Sequence, residues 1–141
     1  MSMKQHDLIG STLIGMVTTD QCAGAVASEG FLHLPDAETN HNWKIDRVEI
    51  IGDTALTGTA SNYASVAIQD GGAAGTGSTA ITGGSEDFDS GTDLVVGTPI
   101  VLTPTAANEL DGGDVLRCRV TKTGTGAFMG KLTWFVYATG T

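Results

Sequence analysis

Basic residues are scarce in this sequence. Lys and Arg together number 7 of 141 residues, against 16 Asp and Glu, and the formal net charge is −9. A protein that neutralises the phosphates of DNA or RNA needs clustered Lys and Arg, so no nucleic-acid partner is expected. The negative charge keeps copies of the chain soluble and favours docking onto a locally basic protein surface.

Long hydrophobic runs are missing as well. None approaches the ~20 apolar residues that a membrane-spanning helix needs, so no membrane partner is expected. Cysteine is nearly absent, since only Cys22 and Cys118 occur, far apart and without the close spacing of a metal site or a disulfide framework. We interpret both as free thiols.

Glycine is abundant, with 20 residues, and only 16% of the residues are charged. This composition favours an all-β protein, and the length suits one domain with one core. Because the strand signals become regular after Asn40, we divide the chain into an N-terminal arm or outlying strands, residues 1–40, and a β-sandwich domain, residues 41–141. A jelly roll is the leading topology, and an immunoglobulin-like sandwich is the alternative.

A two-residue period of apolar side chains predicts the strands and their buried faces. Between His41 and Asp53 the apolar phase changes after Ile45, so a β-bulge is expected near Asp46 and Arg47. The other predicted buried sets are Ala64, Val66 and Ile68; Leu94, Val96, Ile100 and Leu102 on one strand; Leu116, Cys118 and Val120; and Leu132, Trp134 and Val136.

The last two of these sets flank the glycine-threonine turn TGTGA, and we predict that their strands pair as a hairpin. Arg117 and Arg119 lie on the outer face of its first strand. They are interpreted as solvated charges or as partners for carboxylates of a neighbouring subunit. Phe135 and Tyr137, on the outer face of the second strand, would form the apolar part of the same contact or be covered by the N-terminal arm.

The segment from Leu8 to Val17 is apolar and contains glycine. It is interpreted as an arm that packs along a neighbouring subunit or as an ordinary first strand of the sandwich. Its candidate interface residues are Leu8, Ile9, Leu13, Ile14 and Val17.

Two loops carry patterns with a chemical interpretation. GTGSTA, residues 75–80, fits a dinucleotide fingerprint, but no helix pattern follows it, so a flexible loop is favoured. Residues 85–93 collect four acidic side chains, yet Thr98 stands where a calcium loop needs its last carboxylate. A solvated acidic loop is therefore favoured over a Ca²⁺ site.

His33 or His41 combined with Cys22 or Cys118 lacks the spacing of a metal site or a Cys–His pair. Cys118 is better interpreted as a small buried hydrophobe. We assign no catalytic, cofactor-binding or metal-ligating residue, and an enzyme is not expected.

Three segments between Trp43 and Ala138 carry a family resemblance: WKIDRVEIIGDTALTGTASNYASVAIQDGGAAG, LTPTAANELDGGDVLRCRVTKTGTG and GKLTWFVYAT. Their succession resembles a single jelly-roll module of tailed-phage virion proteins. The best-matching pieces are Asn62-Tyr63-Ala64, Gly113-Asp114-Val115 and Lys122-Thr123-Gly124. Trp134 and Phe135 depart from the lighter β-branched residues usual in the closing strand of that module.

The resemblance implies a virion protein, commonly a trimer. We expect a capsid decoration or cement protein that is made in the host cytoplasm and binds the major capsid protein on the outside of the head. A head-fibre, tail or minor capsid component is the alternative within the virion. A carbohydrate-binding β-sandwich is the alternative outside it, and would need Trp43, Tyr63 or Phe135 as an exposed platform.

Overall fold

The computed structural model describes residues 11–22, 27–36, 42–125 and 128–141. Within these ranges the chain forms only β-strands, with no helix, which confirms the all-β prediction. The strands are β1 (Thr12–Thr19), β2 (Ser28–His33), β3 (Asn42–Gly52), β4 (Leu56–Thr57), β5 (Tyr63–Asp70), β6 (Thr79–Phe88), β7 (Asp93–Leu94), β8 (Ile100–Leu102), β9 (Glu109–Asp111), β10 (Val115–Thr123) and β11 (Leu132–Gly140).

The strands form two main antiparallel sheets. The first sheet has the order β1-β11-β3-β8, with β9 also paired to β3, and the second has the order β2-β10-β5-β6. The pairs are nested along the chain: β5 pairs with β6, β3 with β8, β2 with β10, and β1 with β11. A short ribbon of β4 and β7 completes the described strands.

One buried core lies between the two sheets. The inward-facing residues of β11, Trp134 and Val136, are completely buried, as are Leu116 and Cys118 of β10. Burying a large apolar side chain stabilises the fold by about 1.5–3 kcal/mol, so alternation along each strand determines which face meets the core. The Trp134 indole still finds a partner, because Nε1 donates to the buried Thr19 hydroxyl at 3.0 Å.

Several predicted patterns are confirmed. Ala64, Val66 and Ile68 are buried together on β5. The register between β3 and β11 shifts where Arg47 pairs with Tyr137 but Ile45 pairs with Ala138. Asp46 is therefore the extra residue, and the predicted bulge is present.

The predicted closing hairpin is wrong. β10 pairs with β2 and β5 in the second sheet, whereas β11 pairs with β1 and β3 in the first. The chain crosses from one sheet to the other after Thr123, so the two strands face each other across the core. Alternation predicted both buried faces correctly but not the pairing partners.

The single strand predicted over residues 94–102 is also wrong. Leu94 ends β7 and Leu102 ends β8, and Gly97, with φ +75°, lies in the turn between them. Leu94 and Leu102 are buried, but Val96 is 54% exposed. The left-handed glycine and Pro99 break the strand that the apolar residues alone suggested.

Asn108 closes a gap in the first sheet. β8 pairs with β3 at residues 48–50 and β9 pairs with it at residues 42–44. Ile45 pairs with Ala138 of β11 on one side, so it has no strand opposite it only on the other. Ile45 N donates to Asn108 O, and Asn108 Nδ2 donates to Ile45 O, both at 2.8 Å. The buried asparagine thus takes the place of the missing strand residue.

The edge strands β1 and β2 pack against each other along one side of the sandwich. Gly30 of β2 contacts Val17 of β1 so closely that a Cβ atom there would overlap Val17 Cγ1. A Cβ at Gly15 would lie 2.6 Å from Leu32 Cδ1. Residues 12–19 are thus a first strand of the sandwich, the second of the two interpretations of that segment, and residues 1–10 lie outside the described residues.

Candidate functional site

Arg117 and Arg119 lie on the outer face of the second sheet, where both meet Glu29 of β2. Arg117 Nη2 donates to Glu29 Oε1 at 2.6 Å, and Arg119 Nε lies 3.3 Å from the same oxygen. A carboxylate of the same chain therefore occupies the position that was predicted for a neighbouring subunit. This ion pair joins β2 to β10.

Arg117 also holds the glycine-rich loop that follows β5. Its Nη1 donates to Gly77 O, and its side chain is only 12% exposed. Three buried atoms on this face, Gln69 Oε1, Arg117 Nε and Arg119 Nε, have no hydrogen-bond partner among the described residues. Arg119 Nε is close enough to Glu29 for an ion pair but is not aligned for a hydrogen bond.

Phe135 and Tyr137 lie on the outer face of the first sheet. They belong to β11, whose inward residues Trp134 and Val136 separate them from the second sheet. Arg117 and Arg119 are on the opposite side of the sandwich. The predicted single contact that combines these four residues is therefore wrong.

A polar cluster surrounds Tyr137. The Arg47 guanidinium carbon lies 3.8 Å from the centroid of the Tyr137 ring. Arg47 Nε donates to Glu49 Oε1 at 3.2 Å, and Tyr137 Oη donates to Glu49 Oε2 at 3.4 Å. The cluster contains one positive and one negative charge, so it adds no net charge to this face.

The predicted interface residues of the N-terminal segment lie partly on the surface and partly in the core. Leu13 is 44% exposed, and Ile14 is half-buried against the core. Val17 is buried opposite Trp134, so it faces inward and is not a surface contact. Leu8 and Ile9 lie outside the described residues.

Both thiols are buried and unpaired in disulfides. Burial raises the pKa of the Cys118 thiol strongly and that of Cys22 to a lesser degree. Desolvation also lowers the pKa of Lys122, whose Nζ donates to Cys22 O at 3.3 Å. A thiol with a raised pKa is a poor nucleophile and a poor metal ligand at neutral pH.

The other chemical patterns are not assembled into a site within the described ranges. Gly75 and Gly77 lie in a loop that leads into strand β6 rather than a helix. Glu86 and Asp87 belong to β6 itself, while the loop after it forms a turn in which Asp89 Oδ1 accepts from Gly91 N. Among the described side chains, no group of three or more His, Cys, Asp or Glu is placed to hold a metal ion.

The pieces that carry the family resemblance meet at the two ends of β10. At one end Asn62 Oδ1 accepts from Thr125 N at 2.7 Å, beside Gly124 with φ +74°. At the other end Gly113, with φ +87°, and Asp114 exchange backbone hydrogen bonds with Leu34. These residues shape turns, so they indicate a fold rather than a chemistry.

The end of the sandwich near Gly113 is acidic. Partial burial raises the pKa of Asp114, and the neighbouring carboxylates of Asp70 and Asp111 raise it further, although a hydrogen bond from Asp111 N opposes this. Asp36 also lies beside Gly113. The sandwich therefore carries a concentrated negative potential at this end.

The chain was compared with models of protein families, with curated proteins and with solved structures. None of them matches it. Among the described residues there is no helix with the length and apolar character needed to cross a membrane.

The sequence analysis identified only part of an apolar patch on the outer face of the first sheet, since it named Leu13 and Phe135 but missed Met16 and Val101. Met16, Val101 and Leu13 are 60%, 50% and 44% exposed, and register places them on the same outer face as Phe135. The apolar runs that contain Met16 and Val101 do not show which of their side chains face outward and meet in one patch. Only the pairing of four strands reveals it.

Proposed function

We propose that this protein is a structural component of a tailed-phage virion, a capsid decoration or cement protein that acts as a homotrimer on the outside of the head. The observation that carries the proposal is the nested strand order. The first strand pairs with the last and the second pairs with the last but one, in two sheets of alternating strands. This nesting supports the jelly-roll topology, the fold that the resemblance implies.

The segments that resemble virion proteins support the same proposal. Asn62 and Thr125, from two of those segments, bond directly to each other, and Gly113 and Asp114 from the second segment form the opposite turn. These contacts place the resembling segments at the two ends of β10.

The mechanism is mechanical. Each copy bridges adjacent major capsid subunits in the mature lattice and buries surface only there. A ligand that binds one state of an assembly and not another stabilises that state by mass action. Bridging by many copies, each burying an interface of ordinary size, would hold the shell against internal pressure.

Co-sedimentation with shells tests the proposal. The purified protein is pelleted with expanded, undecorated capsid shells and, separately, with compact procapsids. Binding to expanded shells alone supports a decoration role. Absence from both pellets overturns it, whereas binding to tails or to a single site on the head would favour a tail, head-fibre or minor capsid component.

One observation, the exposed ring of Phe31, favours carbohydrate binding as a second candidate function. Trp43 is buried and its Nε1 donates to Pro35 O, so it is not the exposed platform that was expected. Phe31 is 55% exposed on the outer face of the second sheet, beside Arg117. Retention of a sugar on a glycan array by the wild-type chain, and its loss in Phe31→Ala, would support this candidate.

A further inference from the structure

We infer that the outer face of the first sheet packs against a second copy of this chain. This face is defined by three cross-strand rows. They are Leu13, Tyr137 and Arg47; Met16, Phe135, Glu49 and Val101; and Thr18, Thr133 and Ile51. The inference does not depend on the proposed phage role, but a two-fold dimer and the proposed homotrimer are competing states of the chain in solution.

Six of the ten residues that define this face are apolar or aromatic, although Glu49 interrupts its middle row. Its middle row runs across four strands, and Met16 and Val101 at its two ends are at least half exposed. Contiguous exposed apolar surface on a soluble protein marks an interaction site. The edge strand β1 contains neither a charge nor a proline, and of the usual protective features it has only a β-bulge between Leu13 and Gly15.

The outer face of the second sheet has a different composition. Its exposed apolar residue, Phe31, is flanked on β2 by Glu29 and His33 and lies beside Arg117. Of the other outward residues of its central strands, Tyr63 and Val115 are half-buried, and the rest include the small or polar Arg119, Thr121, Ser65, Ala67 and Gln69. The two faces therefore differ in chemistry although they belong to the same sandwich.

The charges on this face are compatible with a second copy as the partner. Two molecules with a net charge of −9 each repel one another, and the repulsion is least where the contact carries no net charge. The two charges on this face, Arg47 and Glu49, sum to zero and lie 3.2 Å apart, with the arginine side chain 41% exposed. In a two-fold contact, Arg47 of each copy can reach Glu49 of the other, which makes the face complementary to itself.

The area of the face limits how strongly two copies can associate. Four strands ~4.8 Å apart and three rows ~7 Å apart cover roughly 400 Å² per copy. A stable interface of standard size buries about 800 Å² per partner. The dimer should therefore be weak in dilute solution and populated where copies are concentrated.

Sedimentation equilibrium of the whole chain tests the inference. Between about 10 µM and 1 mM the average mass should rise toward that of a dimer. Raising the salt from about 0.1 M to 1 M should strengthen association, because it shortens the screening length from ~10 Å to ~3 Å. A mass that stays monomeric at 1 mM in both salts, or association that weakens with salt, overturns the inference.

Met16→Glu is the decisive variant, and Phe31→Glu is its matched control on the other sheet, at a residue of similar exposure. Met16→Glu should weaken association by at least ~10-fold because a carboxylate would lose its hydration in the contact. Phe31→Glu should leave association unchanged. Equal effects of the two variants, or a trimer that Met16→Glu does not affect, would overturn the inference.

A charge exchange supplies a test that does not depend on apolar packing. Arg47→Glu places two carboxylates in the polar cluster and should abolish association. The double variant Arg47→Glu with Glu49→Arg restores both charges in exchanged positions and should recover association to within ~3-fold of wild type. Failure of this recovery in a double variant with a normal melting temperature would exclude the two-fold charge pairing.

The same variants separate this inference from the phage proposal. A monomeric Met16→Glu chain that still pellets with expanded shells supports self-association through this face, with the shell bound elsewhere. Loss of shell binding by a variant whose self-association is unchanged overturns self-association as the role of the face and assigns the face to the shell. Absence of wild-type shell binding overturns only the phage proposal.

Discussion

At the scale of single residues, Asn108 shows how one residue can take the place of a strand. Its amide and carbonyl groups provide both backbone partners of Ile45, at the point where β8 and β9 leave β3 without a neighbour on one side. No pattern in the sequence indicated this, because asparagine is a residue typical of turns. Its role depends on Ile45, which is 63 positions away.

Replacing Asn108 with alanine should lower the free energy of unfolding by about 1–3 kcal/mol, because the buried Ile45 carbonyl loses its donor. Urea denaturation at pH 7 measures the change. The matched control is Asn62→Ala, which removes an exposed hydrogen bond to Thr125 and should cost less. A smaller loss at Asn108 than at Asn62 would contradict the role assigned to Asn108.

Asp114 should make stability depend on pH. Burial and the carboxylates of Asp70 and Asp111 raise its pKa in the folded state, so the folded protein binds the proton more tightly than the unfolded chain. The resulting stabilisation is complete below the unfolded pKa of about 4 and is lost as the pH rises through the folded pKa.

Asp114→Asn should therefore be more stable than wild type at pH 7, and the difference should vanish near pH 3. The asparagine oxygen can still accept the hydrogen bond from Asp111 N. Urea midpoints at both pH values measure the effect. Asp20→Asn, at an exposed position, controls for the removal of one negative charge, and an equal gain there would show that net charge alone is responsible.

At the scale of elements, alternation predicts faces but not partners. The buried sets on β5, β10 and β11 and the bulge at Asp46 could be predicted because each depends only on the local period of two. The closing hairpin could not, since β10 and β11 each bury one face whether they are neighbours in a sheet or opposite one another. Arg117 and Phe135 lie on opposite faces of the sandwich for the same reason, because their strands, β10 and β11, belong to different sheets.

Close packing of the two edge strands depends on Gly30. Gly30→Ala should lower the free energy of unfolding by about 1–3 kcal/mol, because its methyl group would overlap Val17. Gly91→Ala, at a glycine with open space around it, is the matched control and should be nearly neutral. In a double variant, Val17→Ala should recover part of the loss, and strictly additive losses would contradict direct contact.

At the scale of the whole molecule, the core lies between the two sheets, so both sheets are needed to bury it. Cys118 lies at its centre, completely buried, and burial raises the pKa of its thiol. Reaction of this thiol should therefore require opening of the whole sandwich rather than local fraying. The cysteine can report on global stability without any added probe.

In a Cys22→Ala variant, alkylation of Cys118 by iodoacetamide should be slow, and its dependence on urea should match that of global unfolding. A second substitution, Ser61→Cys, adds an exposed thiol to the same molecule, and peptide masses separate the two rates. Cys118 labelling that is as fast as labelling at position 61, or that does not respond to urea, would contradict a single cooperative core.

The pairing of β1 with β11 makes resistance to force depend on direction. Thr12 is opposite Ala138 at one end of this pair, and Thr19 is opposite Leu132 at the other. Tension between Thr12 and Ala138 would break the hydrogen bonds between β1 and β11 one after another. Tension between Thr12 and Leu132 would load them all together in shear. The same two strands are thus mechanically weak along one axis and strong along another.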